Sequence, residues 1–132
     1  MLKENHLNLF RKHGVLVARI LVGAMFLLAG LSKLRDLGGT EAYINSVGIP
    51  APALLALLVG LFELIAGAII IFGVKYFREA ALLLAVFTLF VSFPFHGPSM
   101  WAENPMQQVL FMKNMAIIAG LLYMVAYGSG KQ

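Results

Sequence analysis

The chain has 132 residues, of which 61% are hydrophobic and 12% charged, and it contains no cysteine. A water-soluble domain of this length keeps about a quarter of its residues charged, so most of this surface is built to face lipid. The absence of thiols excludes disulfides, thiolate nucleophiles, iron–sulfur clusters and cysteine-ligated zinc or haem.

The formal charge of +4 is scattered along the chain and accompanies no DNA-binding motif. No nucleic-acid partner is expected; basic residues beside anionic lipid are the natural reading. One domain over residues 1–132 is expected, all-α and integral to the membrane. Four apolar runs reach the roughly 20 residues needed to cross a hydrocarbon core, at residues 14–34, 52–72, 77–95 and 106–127. The arm before them carries Leu2, Leu7, Leu9 and Phe10 and is read either as a segment lying on the membrane surface or as a frayed tail. A cleaved signal peptide is disfavoured for the first run, because Arg19 interrupts it and further spans follow.

Between the first two spans, Gly38-Gly39 precedes a short helix expected to open at Thr40, and Pro50 and Pro52 start the second span. Gly73 and Lys75 make the next connection. Pro94 should bend or end the third span, since it removes a backbone donor. Asn104 followed by Pro105 is a good N-cap and first-turn signal for the fourth. Lys3, Arg11, Lys12, Lys75, Arg78 and Lys131 fall on one side, against Lys33 and Arg35 on the other. The positive-inside rule therefore places both termini in the cytoplasm. Tyr43 and Trp101 on the outer side, and Tyr76 and Tyr127 on the inner, are placed as interfacial anchors.

Each span carries a small or polar face at helical spacing: Arg19, Gly23, Phe26, Gly30 and Lys33; Gly60, Glu63 and Gly67; Ala81, Ala85, Thr88, Ser92 and His96; Lys113, Ala116, Gly120, Tyr123 and Tyr127. In lipid, small residues let backbones approach and polar groups bond across helices. Gly23, Gly30, Gly60, Gly67 and Gly120 are thus the expected packing glycines of a four-helix bundle. Glu63 falls near mid-membrane, where a charge costs about 2.5–3.5 kcal/mol. It is expected to face inward, neutralised by Arg19 or Lys113, with Lys33 free to snorkel outward. Such a pair could be purely architectural or part of a ligand or proton site. His96, at a helix end near water, is read either as an ordinary interfacial histidine or as a ligand or proton group. No metal is expected, because His6 and His13 lie at the opposite side and no carboxylates flank His96.

The segments RILVGAMFLLAGLSKL, VGIPAP, FELIAGAIIIFG, the lone His96 and FMKNMAIIAGLL, in this order, resemble the DoxX family from about Val15 to Tyr123. The resemblance implies a small four-helix membrane protein, multi-pass in a bacterial inner membrane. The family takes its name from a subunit of an archaeal thiosulfate:quinone oxidoreductase, and other members are associated with membrane oxidoreductases or responses to quinone-like compounds. The family pattern falls on Arg19, Gly23, Gly30, Lys33, Glu63, Gly67, Gly73, His96, Lys113 and Asn114. No intrinsic cofactor is implied. The leading functional expectation is a membrane component of a quinone-linked oxidoreductase or quinone-handling system, a subunit rather than a self-sufficient enzyme. Its polar site would comprise Arg19, Glu63, Lys113, His96, Asn114 and Lys33. Its expected partners are membrane lipid, a lipophilic small molecule such as a quinone, a partner oxidoreductase subunit and a second copy of the chain. The competing readings are a non-catalytic scaffold or chaperone, and a transporter of a small solute or protons, which four spans without an evident inverted repeat support less well.

Overall fold

The computed structural model describes residues 1–131. Helix α1 runs Glu4–Arg35, α2 Leu37–Ser46, α3 Pro52–Phe72, α4 Phe77–His96 and α5 Pro105–Tyr127, with one turn of 3-10 helix at Pro98–Met100. Among the described residues there is no strand, and α1, α3, α4 and α5 are long and apolar enough to cross a membrane.

Two beginnings differ from expectation. Helix α1 opens ten residues before the first apolar run. Its 32 residues extend about 48 Å at 1.5 Å per residue, well beyond a hydrocarbon core of roughly 30 Å. The arm is therefore neither a separate surface element nor a frayed tail, but the projecting start of the first span. No proline interrupts it, and Arg11 links its exposed turns by contacts to Glu4 and Asn8. Helix α2 opens at Leu37, not Thr40. Asp36 is its cap, its carboxylate accepting from the Gly39 N–H at 3.0 Å, so Gly38 and Gly39 form the first turn.

The other boundaries follow local chemistry. Pro52 and Pro105 stand in the first turns of α3 and α5, where a missing N–H leaves no intrahelical bond unmade. Gly73 ends α3 at φ 60°, a left-handed conformation that glycine adopts without strain. Asn104 holds the N-cap position of α5, but its side chain makes no capping bond. Pro94 lies inside α4, whose last residue is His96.

The helices pack as two antiparallel pairs, α1 with α3 and α4 with α5, joined through α3 and α4. Backbone contact makes the first pair. A Cβ on Gly30 would lie 2.5 Å from the Leu64 nitrogen, one on Gly67 2.5 Å from the Leu27 nitrogen, and one on Gly23 2.7 Å from the Gly67 oxygen. A Cβ on Gly60 would meet the Leu34 side chain at 2.8 Å. Phe26, Ala66, Ile70, Ala81, Leu84 and Leu121 form the centre of the core.

The expected inner faces are those buried on α1, α3 and α4. On α5 the face is turned by about one residue. Leu121 is buried and Asn114, Ile117, Ile118, Met124 and Val125 are half-buried, whereas Tyr123 and Tyr127 are exposed. Nothing lies within 4 Å of a Cβ on Gly120, so this glycine is not a packing contact. The cause is that α5 packs its inner side with Ile and Leu, so small and polar residues do not mark it.

Arg19 fastens the end of the bundle where both described chain termini emerge. Its Nη1 donates to the Ser129 carbonyl at 2.9 Å and its Nη2 to the Ile71 carbonyl at 3.2 Å. Arg19→Met would strand both carbonyls and should lower stability by about 2–3 kcal/mol, read as an earlier thermal unfolding midpoint in detergent.

Candidate functional site

Between the two helix pairs, toward the α2 end, lies a cavity of about 510 Å³. All five helices contribute to its wall, which is mainly apolar and includes Phe26, Phe87, Val91, Phe95 and Ile117. Its polar members are Lys33, Glu63, Thr88, His96, Lys113 and Asn114, with Thr40 and Tyr43 supplied by α2.

The antiparallel register of α1 and α3 builds the charged part. Close contact of Gly30 with Gly60 and Leu64 sets Lys33, one turn further along α1, beside Glu63. Glu63 stands eleven residues from Pro52 and nine from Phe72, near the middle of α3, and is 4% exposed. Lys33 Nζ lies 2.7 Å from its Oε1. The two groups form an ion pair, and among the described residues no other cation stands within ion-pair distance of the carboxylate.

This corrects the expected pairing of Glu63 with Arg19 or Lys113. Lys33 turns inward because a buried carboxylate within reach outweighs the water at the helix end. Arg19 is fourteen residues away on α1, about 21 Å, in register with the far end of α3, and takes no part in the cavity. A Cβ on Gly73 would stand 2.9 Å from its guanidinium carbon. Lys113 enters the cavity wall from α5, and among the described residues it forms no salt bridge.

Helix α4 supplies an i, i+4 ladder. Ser92 Oγ donates to the Thr88 carbonyl at 2.6 Å, and Asn114 Nδ2 donates to Ser92 Oγ at 3.1 Å, tying α5 to α4. Thr88 is 4% exposed, and among the described residues its own hydroxyl has no partner. At the end of the ladder His96 Nδ1 pairs with Gln107 Oε1. An amide oxygen can only accept, so Nδ1 is the donor in this bond and Nε2 is the ring nitrogen left for another partner. Trp101 Nε1 donates to the His96 carbonyl at 2.8 Å, and Tyr43 packs against Phe95 with ring centroids 4.8 Å apart.

Sequence reading did not single out Gln107 or the hydroxyl of Thr88 as site groups. Thr88 was legible as a member of the α4 stripe. Gln107 has no signal of its own, because the α4–α5 connection alone brings it to His96. Trp101 and Tyr43, read as interfacial anchors, also belong to the structure around the cavity. Among the described residues, no group of three or more His, Asp or Glu side chains could hold a metal ion.

The chain is similar to three named proteins. It is 40% identical to "Inner membrane protein YqjF" of Escherichia coli over 89% of the chain and 85% of that protein. It is 29% identical to "Inner membrane protein YphA" of the same organism, covering 88% and 84%. It is 32% identical to "Putative oxidoreductase CatD" of Bacillus subtilis, covering 64% and 65%. No solved structure matches the chain. The four spans and the Escherichia coli relatives make this a multi-pass protein of the inner membrane. The DoxX family model matches residues 14–97, which contain the glycine-packed α1–α3 pair, Lys33, Glu63 and His96, and the chain belongs to the DoxX family.

Proposed function

We propose that the chain is a membrane component of a quinone-linked oxidoreductase or quinone-handling system, and that the cavity at Glu63 receives the ring of the quinone. The observation that carries this reading is a space of about 510 Å³ with an apolar, aromatic wall and a few converging polar groups. That is the usual make-up of a small-molecule site, and it opens among membrane-spanning helices. The name of the Bacillus subtilis relative points the same way.

The donor set fits the group. A quinone presents two carbonyl acceptors, and the wall is lined by Lys113, an exposed residue of α5 that can reach in with its ammonium, and by Thr88, whose hydroxyl has no partner among the described residues. When bound, a quinone supplies the capacity to take up two electrons and two protons. Lys113 orients one carbonyl and favours negative charge developing there. His96 Nε2 holds or releases a proton, its orientation kept by Gln107 and the Trp101 contact. Phe26, Phe87 and Phe95 exclude water from the ring. Electrons come from a partner subunit or a reduced substrate.

Trp101, the chain's single tryptophan, gives a direct readout. Titration of the purified protein with a short-tailed quinone should quench Trp101 fluorescence saturably. Lys113→Met should weaken binding by about tenfold, the loss of one charge-assisted bond. Quenching that never saturates, or that is identical in the variant, defeats the proposal.

A further inference from the structure

At the opposite end of the bundle, where α3 ends, α4 begins and α5 ends, lies a second cavity of about 420 Å³. Its wall includes Tyr76, Arg78, Glu79, Tyr127, Lys131 and the loop 128–130. We propose that it binds the phosphodiester headgroup of an anionic phospholipid.

The loop is shaped and fastened. Gly128 and Gly130 have φ of 77° and 78°, which glycine adopts without strain. A Cβ on Gly128 would lie 3.1 Å from Nε and Nη2 of Arg78, so the missing side chain makes room for the guanidinium. Arg19 holds Ser129 from beneath, and the Lys131 ammonium donates to the Phe72 carbonyl. The loop is thereby tied to α1 and α3 while Arg78 is left without a hydrogen bond or ion pair among the described residues.

The local charge is positive. Buried Arg19, 6% exposed, has carbonyl partners, and among the described residues no carboxylate lies within ion-pair distance of it. Arg78 and Lys131 stand at the cavity wall, and the start of the 20-residue α4 adds its unpaired N–H groups. Glu79 is the only carboxylate among the described lining residues, and it pairs with neither cation. A planar guanidinium fork beside an ammonium matches a phosphate's oxygens.

Position selects the lipid over a soluble anion. The cavity sits at the immediate ends of three spans, where lipid headgroups stand. Leu82, one turn beyond Arg78 on α4, and Tyr123, one turn before Tyr127 on α5, are exposed and continue from the cavity along the helices toward acyl chains. Exposed Tyr76 and Tyr127 have the amphipathic character of interfacial residues. Basic pockets between helices in this setting hold anionic headgroups.

The test uses the full chain purified in a non-ionic detergent, titrated with phosphatidylglycerol, phosphatidylcholine or inorganic phosphate. Binding is read by native mass spectrometry and by thermal unfolding. Phosphatidylglycerol should bind saturably and raise the unfolding midpoint. Phosphatidylcholine should do neither, and millimolar phosphate should not displace the lipid. Arg78→Gln and Lys131→Gln should each weaken phosphatidylglycerol binding by about tenfold. Lys75→Gln should leave it near wild type, because Lys75 lies off the cavity over the Tyr76 ring. If Arg78→Gln does not fold, Arg78→Lys keeps the charge but loses the fork, and should still weaken binding. Equal loss in Lys75→Gln would show diffuse attraction and overturn the site. Wild-type affinity in the Arg78 variant, or phosphatidylcholine binding as tightly, would do the same. Displacement by phosphate alone would assign the pocket to a free anion and overturn the lipid assignment.

Discussion

Gly67→Ala and Gly30→Ala should each destabilise the protein by about 3 kcal/mol or more, at or above the upper part of the range for overpacking. In both cases the new methyl group would meet backbone, at 2.5 Å from the Leu27 nitrogen or the Leu64 nitrogen. Backbone cannot turn aside as a side chain can, so α1 and α3 must separate along their shared length. That separation loses close van der Waals contact, the main attraction between helices surrounded by lipid. Better helix propensity returns only about 1 kcal/mol. Gly120→Ala is the matched control: with open space around its Cβ, it should be neutral or slightly stabilising. Unfolding in mixed detergent and denaturing micelles measures all three. A wild-type midpoint for Gly67→Ala would mean that the two backbones do not touch there.

Lys33→Met and Glu63→Gln should be unequal, although they break the same ion pair. Without Lys33, the carboxylate stays in a site where its side chain is 5% exposed, with no cation beside it. Breaking a buried pair in this way costs about 3–5 kcal/mol. Without Glu63, the Lys33 side chain, already 34% exposed, can carry its ammonium along its stem to the polar edge, and the loss should be about 1 kcal/mol. The double variant should recover most of the Lys33→Met deficit, with a coupling of about 3 kcal/mol, the top of the range for residues in contact. Equal single losses that simply add would rule out the pair as described. The same variants separate architecture from chemistry. Glu63→Gln that stays folded but loses saturable quinone quenching places the carboxylate in the binding site. Unchanged quenching makes it a pin for helix register, as the scaffold reading expects.

Membrane character, helix number and most inner faces were legible because lipid imposes a simple code. A span must be apolar over about 20 residues, and its packing side must be small or polar. Arg19, Gly23, Phe26 and Gly30 lie on a single helical stripe in the sequence, and all four are buried. The same holds for Gly60, Glu63 and Gly67. The code is weaker where a helix packs with ordinary aliphatic residues. That is why the inner face of α5 is Asn114, Ile117 and Leu121 instead of the stripe through Gly120 and Tyr123.

By itself, the sequence determined that a carboxylate sits at mid-membrane depth and must face inward, because an unpaired charge among acyl chains is too costly. Tertiary structure alone decided which cation answers it. Arg19, Lys33 and Lys113 are all long, charged and on inward or polar stripes, so composition and spacing do not separate them. The antiparallel register of α1 against α3 does: glycine contacts bring Lys33 to Glu63 and carry Arg19 to the opposite end, while α5 holds Lys113 on another wall of the cavity. Ion pairing in a low-dielectric interior falls steeply with separation and depends on geometry. A register set by backbone contact therefore chooses among chemically equivalent partners.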